Sequence, residues 1–418
     1  MLKKISTRQL AMGMYVHRLC GSWLDHPFWK KTFLVTEAKQ LDLIRRSGIG
    51  EVWIDTSKGL DVPMEETDVS ALETMLATMI FSPDPPPHVT DIGPCSLDDE
   101  LERAGRIVAQ GRGAMKLMFQ DVRLGKAIDT EHCLPLVHDI TQSIDRNPGA
   151  IVSLARLKTS DDYTYMHSVA VCALMIALAR KLRLSDADTR EAGVAGLIHD
   201  IGKAVMPREI LGKAGALTAD EYAIMRGHPQ AGHDMLLEAR GVGEIPLDVC
   251  LHHHEKIDGR GYPYGLKGDA ISLMARMGAV CDVYDAITSN RPYKVGWDPA
   301  MSIQKMAQWS REGHFDDAVL QAFIKSIGIY PIGSLVRLAS ERIAVVVDQS
   351  RASLLKPVVR TILDVATRQA CEPEQFDLSA PGCRERIVSR ETAQVWGLVS
   401  VDDHWRFPSP SITEGYGR

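Results

Sequence analysis

A chain of 418 residues, 45% apolar and 24% charged, is long enough for two or three domains and can bury a substantial core. Its formal charge of −6 excludes a broad basic footprint for phosphate backbone, so long nucleic acid is not an expected partner. The sequence shows no evident apolar run approaching the roughly 20 residues of a bilayer span, and the start Met1-Leu2-Lys3-Lys4-Ile5 has no apolar stretch behind its lysines; a cytoplasmic protein without a membrane partner is expected. Eight cysteines (Cys20, Cys95, Cys133, Cys172, Cys250, Cys281, Cys371 and Cys383) include no Cys-x-x-Cys spacing, which argues for reduced thiols over a disulfide framework or a zinc knuckle.

Residues 1–80 predict a small α+β module for regulation or interaction. Its strands run from Met14 to Leu19, Thr32 to Val35 and Val52 to Ile54, and a helix from Glu37 to Arg46 is ended by Gly48. Trp23, Phe28 and Trp29 are expected to be aromatics buried by this small domain. Ser82-Pro83-Asp84-Pro85-Pro86-Pro87 then interrupts regular structure, making residues 81–97 a stiff linker.

Ser96, with Asp99 three residues on, marks a helix start, and Leu97 to Met118 carries Leu101, Ala104, Ile107, Val108 and Met115 on roughly one face. That face suits packing against later helices or against a second copy, which leaves a homodimer open. Residues 98–149 are thus a helical connector, and helical periodicity continues to about residue 330. Beyond Gly333, short β-branched runs from Ser334 to Leu338, Ile343 to Val347 and Val358 to Leu363 predict a small β-rich extension, residues 334–418, packed on the helices. The expected fold is mainly α, with an α+β domain before the helical bundle and strands after it.

Seven of the fourteen histidines fall between His167 and His254. His167 lies on a predicted helix from Tyr165 to Leu182. His199-Asp200 follows the apolar helix Ala192 to Ile198, His228-Pro229 opens a later one, and His252-His253-His254-Glu255 ends a short one; Asp282 lies on a further helix. A lone histidine on an apolar helix is usually a satisfied core side chain, and the pair His138-Asp139 without such company reads as surface chemistry. Several imidazoles and carboxylates, each beside an apolar face, instead form the ligand inventory of a metal centre for iron, manganese, zinc or nickel.

His199-Asp200-Ile201-Gly202-Lys203, His253-His254-Glu255, Asp258-Gly259-Arg260-Gly261-Tyr262-Pro263 and Ser289-Asn290-Arg291-Pro292-Tyr293-Lys294 resemble the successive signatures of the HD-GYP family, bacterial phosphodiesterases for cyclic di-GMP. The resemblance covers residues 150–333, and residues 1–80 resemble the small module that often precedes such a domain. It implies an HD-type helical bundle holding two divalent ions per chain, Fe or Mn first, with Zn, Ni, Co or Mg as alternatives. One ion would be held by His167, His199 and Asp282, the other by His228, His253 and His254, with Asp200 bridging both. His252 and His233 fall outside the pattern. The glutamate that holds a third ion in some members would stand where this chain has Tyr163, so a binuclear site is expected.

Two such ions activate a shared water and orient a phosphodiester for in-line attack, with no nucleophilic side chain. Lys203 is the candidate to stabilise developing charge. Gly261, Tyr262, Asp285, Arg291 and Lys294 are the candidate substrate contacts, with glycines at 259 and 261 giving close approach or positive φ and Arg291 giving bidentate hydrogen bonds. The expected activity is hydrolysis of cyclic di-GMP to pGpG, with the end product, pGpG or GMP after a second cut, left open by the sequence, in bacterial signalling of the kind that governs biofilm, motility and virulence, with diguanylate cyclases as candidate protein partners. The alternatives are a weakly catalytic cyclic di-GMP sensor or scaffold, and an HD phosphohydrolase for another nucleotide.

Overall fold

The computed structural model describes residues 2–20, 32–35, 40–41, 44, 51–55, 58–59, 93, 95–157, 163–213, 215, 217–289, 296–350, 353–398 and 401–406. They divide into two compact units, Met1–Thr78 and Met79–Arg418. The proline-rich run at 82–87 and the aromatics Trp23, Phe28 and Trp29 lie outside the described residues.

In the first unit, β1 (Leu2–Ser6), β2 (Tyr15–Cys20), β3 (Phe33–Leu34) and β4 (Glu51–Asp55) form an antiparallel sheet in the order β1-β4-β2-β3. Strand β1 had not been anticipated: its Leu-Lys-Lys-Ile alternation is short and lies against the chain start. Of the predicted helix, Gln40, Leu41 and Ile44 are described and helical. Val52 and Ile54, two apart on β4, point to one face and join Ile5, Met14, Val16 and Ile44 in the core.

The second unit begins with α1 (Leu97–Arg123), capped by Ser96, whose hydroxyl accepts from the Asp99 N–H. Ala104, Ile107, Gly111, Met115, Phe119 and Val122 form its buried stripe at three- and four-residue spacing. That stripe meets helices of the same chain, and Gly111 packs against Val169 and Leu136. There follow α2 (Leu134–Arg146), α3 (Pro148–Arg156), α4 (Tyr163–Leu182), α5 (Asp186–Ile198), α6 (Arg208–Leu211), α7 (Ala219–Met225), α8 (His228–Leu237), α9 (Glu244–His252), α10 (Leu273–Thr288), α11 (Pro299–Arg311) and α12 (Asp317–Ile327).

The centre of the bundle is α4, in which every residue from Met166 to Ala179 is buried. Contrary to the sequence expectation, this helix is long and apolar enough to meet the criterion for a membrane span. Here neighbouring helices bury it on all sides, so its apolarity needs no other cause. It lies closest to α5, where a Cβ on Gly196 would stand 2.7 Å from the Cys172 Cα. This approach sets His199, one turn beyond Gly196, beside α4.

A second antiparallel sheet follows, in the order β8-β7-β6-β5-β9, from β5 (Leu335–Leu338), β6 (Arg342–Asp348), β7 (Val358–Asp364), β8 (Gln375–Asp377) and β9 (Ile387–Glu391). Ile343, Val345 and Val347 of β6 and Ile362 of β7 share one apolar cluster with Ala150, Ile151 and Ile332 of the bundle, so the sheet is an integral layer of this unit. Two short helices follow the sheet, α13 (Ala393–Trp396) and α14 (Asp402–Arg406); Trp405 of α14 belongs to that cluster, and the Arg156–Asp402 ion pair at 2.8 Å ties α14 to α3.

Substituting Gly196→Ala should force α4 and α5 apart and lower stability by about 1–3 kcal/mol, which urea denaturation would measure; unchanged stability would show that the contact relaxes freely.

Candidate metal centre

The chain turns sharply where α5 ends. His199 keeps helical dihedrals as the last residue, Asp200 leaves the helix at φ −102°, ψ 11°, and Ile201–Val205 forms a 3-10 turn. Gly202 in this turn has no room for a side chain: a Cβ would stand 2.0 Å from the His228 carbonyl oxygen and 2.6 Å from the Gly232 nitrogen. Its absence brings the turn onto the start of α8 and places Asp200 beside His228.

Asp200 is 1% exposed and lies between two groups of side chains. Its Oδ2 is 3.4 Å from Nε2 of both His167 and His199, while Oδ1 is 3.1 Å from His228 Nε2 and 3.7 Å from His253 Nε2. Asp282 Oδ1 stands 3.0 Å from His167 Nε2 and 3.9 Å from His199 Nε2, and its Oδ2 is 3.7 Å from His254 Nδ1. Candidate ligand atoms of His167, His199 and Asp282 therefore lie within 4.8 Å of one another, as do those of Asp200, His228, His253 and His254.

The imidazoles are oriented from behind. Nδ1 of His199 is 2.8 Å from the Gly196 carbonyl, Nδ1 of His228 is 2.7 Å from that of Met225, and Nδ1 of His253 is 3.0 Å from those of Val249 and Cys250. A hydrogen bond from Nδ1–H directs each Nε2 lone pair into the cluster. His167 does the same through Asp285, whose Oδ2 is 2.6 Å from His167 Nδ1. Asp285, expected from the sequence as a substrate contact, has its buried carboxylate on a candidate ligand, and it also borders a cavity of about 230 Å³ whose lining includes none of the candidate ligands.

These side chains suit a cation. His199 Nε2 and Asp200 Oδ1 are buried with no hydrogen-bond partner, a costly state unless the atoms serve another purpose. Burial disfavours the charged form of His167, yet hydrogen bonds to Asp200, Asp282 and Asp285 override it and push its pKa up to about 10. Burial likewise opposes ionisation of Asp200 and Asp282, but the Lys203 ammonium and His199 beside the first, and His167 beside the second, hold both well below the usual carboxylate range. His254 is held well below the usual range by burial and by neighbouring His253, the neutral state a ligand requires. Two buried carboxylates, Asp200 and Asp282, with convergent imidazole nitrogens form a donor set for a divalent ion.

Lys203 Nζ bonds Asp200 Oδ2 from a partly exposed position. His252 bonds Asp248 at 2.7 Å and His233 lies beside Asp234, so neither enters the cluster. Tyr163 stacks its ring on His167, 5.8 Å between centroids and 8° from parallel.

The glycine-rich segment forms the rim. Gly259 has φ 82°, while Gly261 lies against the chain, where a Cβ would be 2.4 Å from Glu255 Cα. Gly261, expected as a substrate contact, is thus required for this close approach. Glu255, which sequence reasoning passed over, accepts from the N–H groups of Tyr264, Gly265 and Leu266 at 2.7–3.0 Å and holds the segment in place. Tyr262 stacks on His254 at 4.7 Å, and the Arg226 guanidinium lies 4.6 Å over the other part of this assembly, the Tyr262 ring. Arg226 had no marker in the sequence beyond its place two residues before His228. Arg291 and Lys294 lie outside the described residues.

Comparison with known proteins matches residues 142–319 to the HD domain family and residues 2–133 to a domain of unknown function, DUF3391. A cyclic di-GMP phosphodiesterase of Pseudomonas aeruginosa is 52% identical over 406 residues, 97% of this chain and 96% of that protein. The cyclic di-GMP phosphodiesterase response regulator RpfG of Xanthomonas campestris pv. campestris is 44% identical over 124 residues, 29% of this chain and 32% of its own. A 3′3′-cGAMP-specific phosphodiesterase of Vibrio cholerae is 33% identical over 185 residues, 42% of each chain.

Replacing Asp285 with Asn should weaken metal affinity by about 10–100-fold while the protein remains folded, as a metal titration would register; undiminished affinity would reduce Asp285 to a bystander.

Proposed function

The chain belongs to the HD-GYP family of cyclic di-GMP phosphodiesterases, and from that premise we propose that its buried histidine and aspartate cluster, loaded with divalent metal, hydrolyses cyclic di-GMP to pGpG, with a second cut giving GMP. The observation that carries the reading is the division of Asp200, with one carboxylate oxygen toward His167 and His199 and the other toward His228 and His253. We assign two ions to it: one on His167, His199 and Asp282, the second on His228, His253 and His254, with Asp200 common to both. Tyr163, aromatic where a carboxylate would serve a third ion, supports the count of two. We take iron or manganese as the first occupant by family resemblance, with zinc, nickel, cobalt or magnesium as alternatives, since mixed imidazole and carboxylate donors accept several ions.

Bound there, the ions would supply Lewis-acid stabilisation of the phosphate and a water of lowered pKa for in-line attack. The protein's own residues do the rest. Asp285 keeps the His167 ring in one tautomer, and the backbone carbonyls behind His199, His228 and His253 do the same for theirs. Lys203, a partly exposed ammonium beside Asp200, is placed to donate to an oxygen that gains charge as the ester bond breaks. Tyr262 covers the outer face of His254 and forms an apolar wall against water. Arg291 and Lys294 are assigned to substrate capture from their sequence signature alone.

Incubating metal-loaded protein with cyclic di-GMP and separating the products by chromatography tests the reading. pGpG or GMP should form and disappear with chelator, and absence of both from fully loaded protein would overturn it. Asp200→Ala should lose metal and turnover together, whereas Lys203→Met should keep its metal and lose about 10²-fold or more in kcat; full activity of Asp200→Ala would remove the shared carboxylate from the mechanism.

A further inference from the structure

Helix α7 buries none of its seven residues. It is held in place at its start by a reciprocal capping box between Thr218 and Glu221, and Glu221 also receives Lys213 Nζ at 2.7 Å. Core packing therefore does not account for its side chains, yet Tyr222 is 51% exposed and Ile224 47%. Exposure alone assigns neither side chain a role, but it leaves the Tyr222 ring face open to stacking.

Tyr222 and Arg226 are one helical turn apart, joined by the bond from the Arg226 N–H to the Tyr222 carbonyl at 2.9 Å, so their side chains leave the same side of the chain. Arg226 lies over Tyr262, and Tyr262 lies over His254, so the guanidinium stands two stacking steps outside the metal centre. Among the described residues no carboxylate pairs with it. A guanidinium held over a ring by cation–π attraction, with no carboxylate partner, retains N–H groups for a ligand, and its fork matches two adjacent acceptors.

We propose that Arg226, with Tyr222 as a stacking surface beside it, is a specificity-determining residue that binds an adjacent acceptor pair on the portion of the substrate outside the metal centre. This rests on the cyclic dinucleotide reading of the preceding subsection. Such a pair comes from one of two sources, the O6/N7 edge of guanine or two oxygens of the phosphate that is not being cleaved. Adenine presents an N6–H₂ donor beside N7 and cannot accept both hydrogen bonds, so the sources are separable.

The test measures KM and kcat of metal-loaded wild type, Arg226→Ala and Arg226→Lys on cyclic di-GMP, the inhibition constant of cyclic di-AMP, and bound metal. Arg226→Ala should raise KM for cyclic di-GMP about tenfold or more, with a much smaller change in kcat and with metal retained. Weakening confined to cyclic di-GMP, and not repaired by lysine, assigns the contact to guanine. Equal weakening of cyclic di-AMP, partly restored by lysine, assigns it to phosphate. Tyr222→Ala should also raise KM, and Tyr222→Phe should restore it, because the ring face is what the proposal uses. An unchanged KM in a wild type that cleaves cyclic di-GMP and an Arg226→Ala variant that binds metal overturns this proposal alone. A wild type that cleaves bis(p-nitrophenyl) phosphate but no cyclic dinucleotide overturns the substrate assignment, and this proposal with it.

Discussion

A carboxylate at 1% exposure is among the most expensive groups a protein can bury, and Asp200 is the constraint around which the helical unit is arranged. Each oxygen faces imidazole nitrogens, and the ammonium of Lys203 lies against one of them. To bring these groups together, five helices end or pass within a few ångströms of one point. Gly196 and Gly202 permit two of these close approaches, one to α4 and one to α8. Both glycines are consequences of where Asp200 must stand. The same demand fits the apolar run of α4, since between Met166 and Ala179 the helix that carries His167 to the centre has no face left for solvent.

Much of this was legible because a ligand must be a particular residue type in an improbable setting. His167 lies in the buried apolar stretch of α4, and Asp282 follows the buried run 277–281 in α10, so both stand out from the chemistry expected of a core. The bundle and the flanking strands could be read from periodicity, and the second sheet packs on the helices through the apolar residues of β6 and β7 as its composition implied. Periodicity carried less information for α4, where burial on every side removes the amphipathic signal and leaves a helix with the composition of a membrane span.

What could not be read was direction. Asp285 follows Asp282 by three residues, and only the structure distinguishes a carboxylate facing substrate from one facing Nδ1 of His167. Gly259 and Gly261 look alike in sequence, yet one relieves positive φ and the other a steric approach. Glu255 follows three histidines and shares their place in the sequence, but its oxygens accept from three backbone N–H groups of the rim. Arg226 lies on a helix without a buried face, where hydrophobic pattern has nothing to mark.

The bareness of α7 has a consequence for how such a protein diversifies. Substitutions on α4 or α10 are tested at once against the core, but those on α7 meet little packing and cost little stability. Side chains on this rim of the histidine and aspartate cluster can therefore change while the buried helices stay as they are, so a new preference at the rim need not lower the stability of the fold.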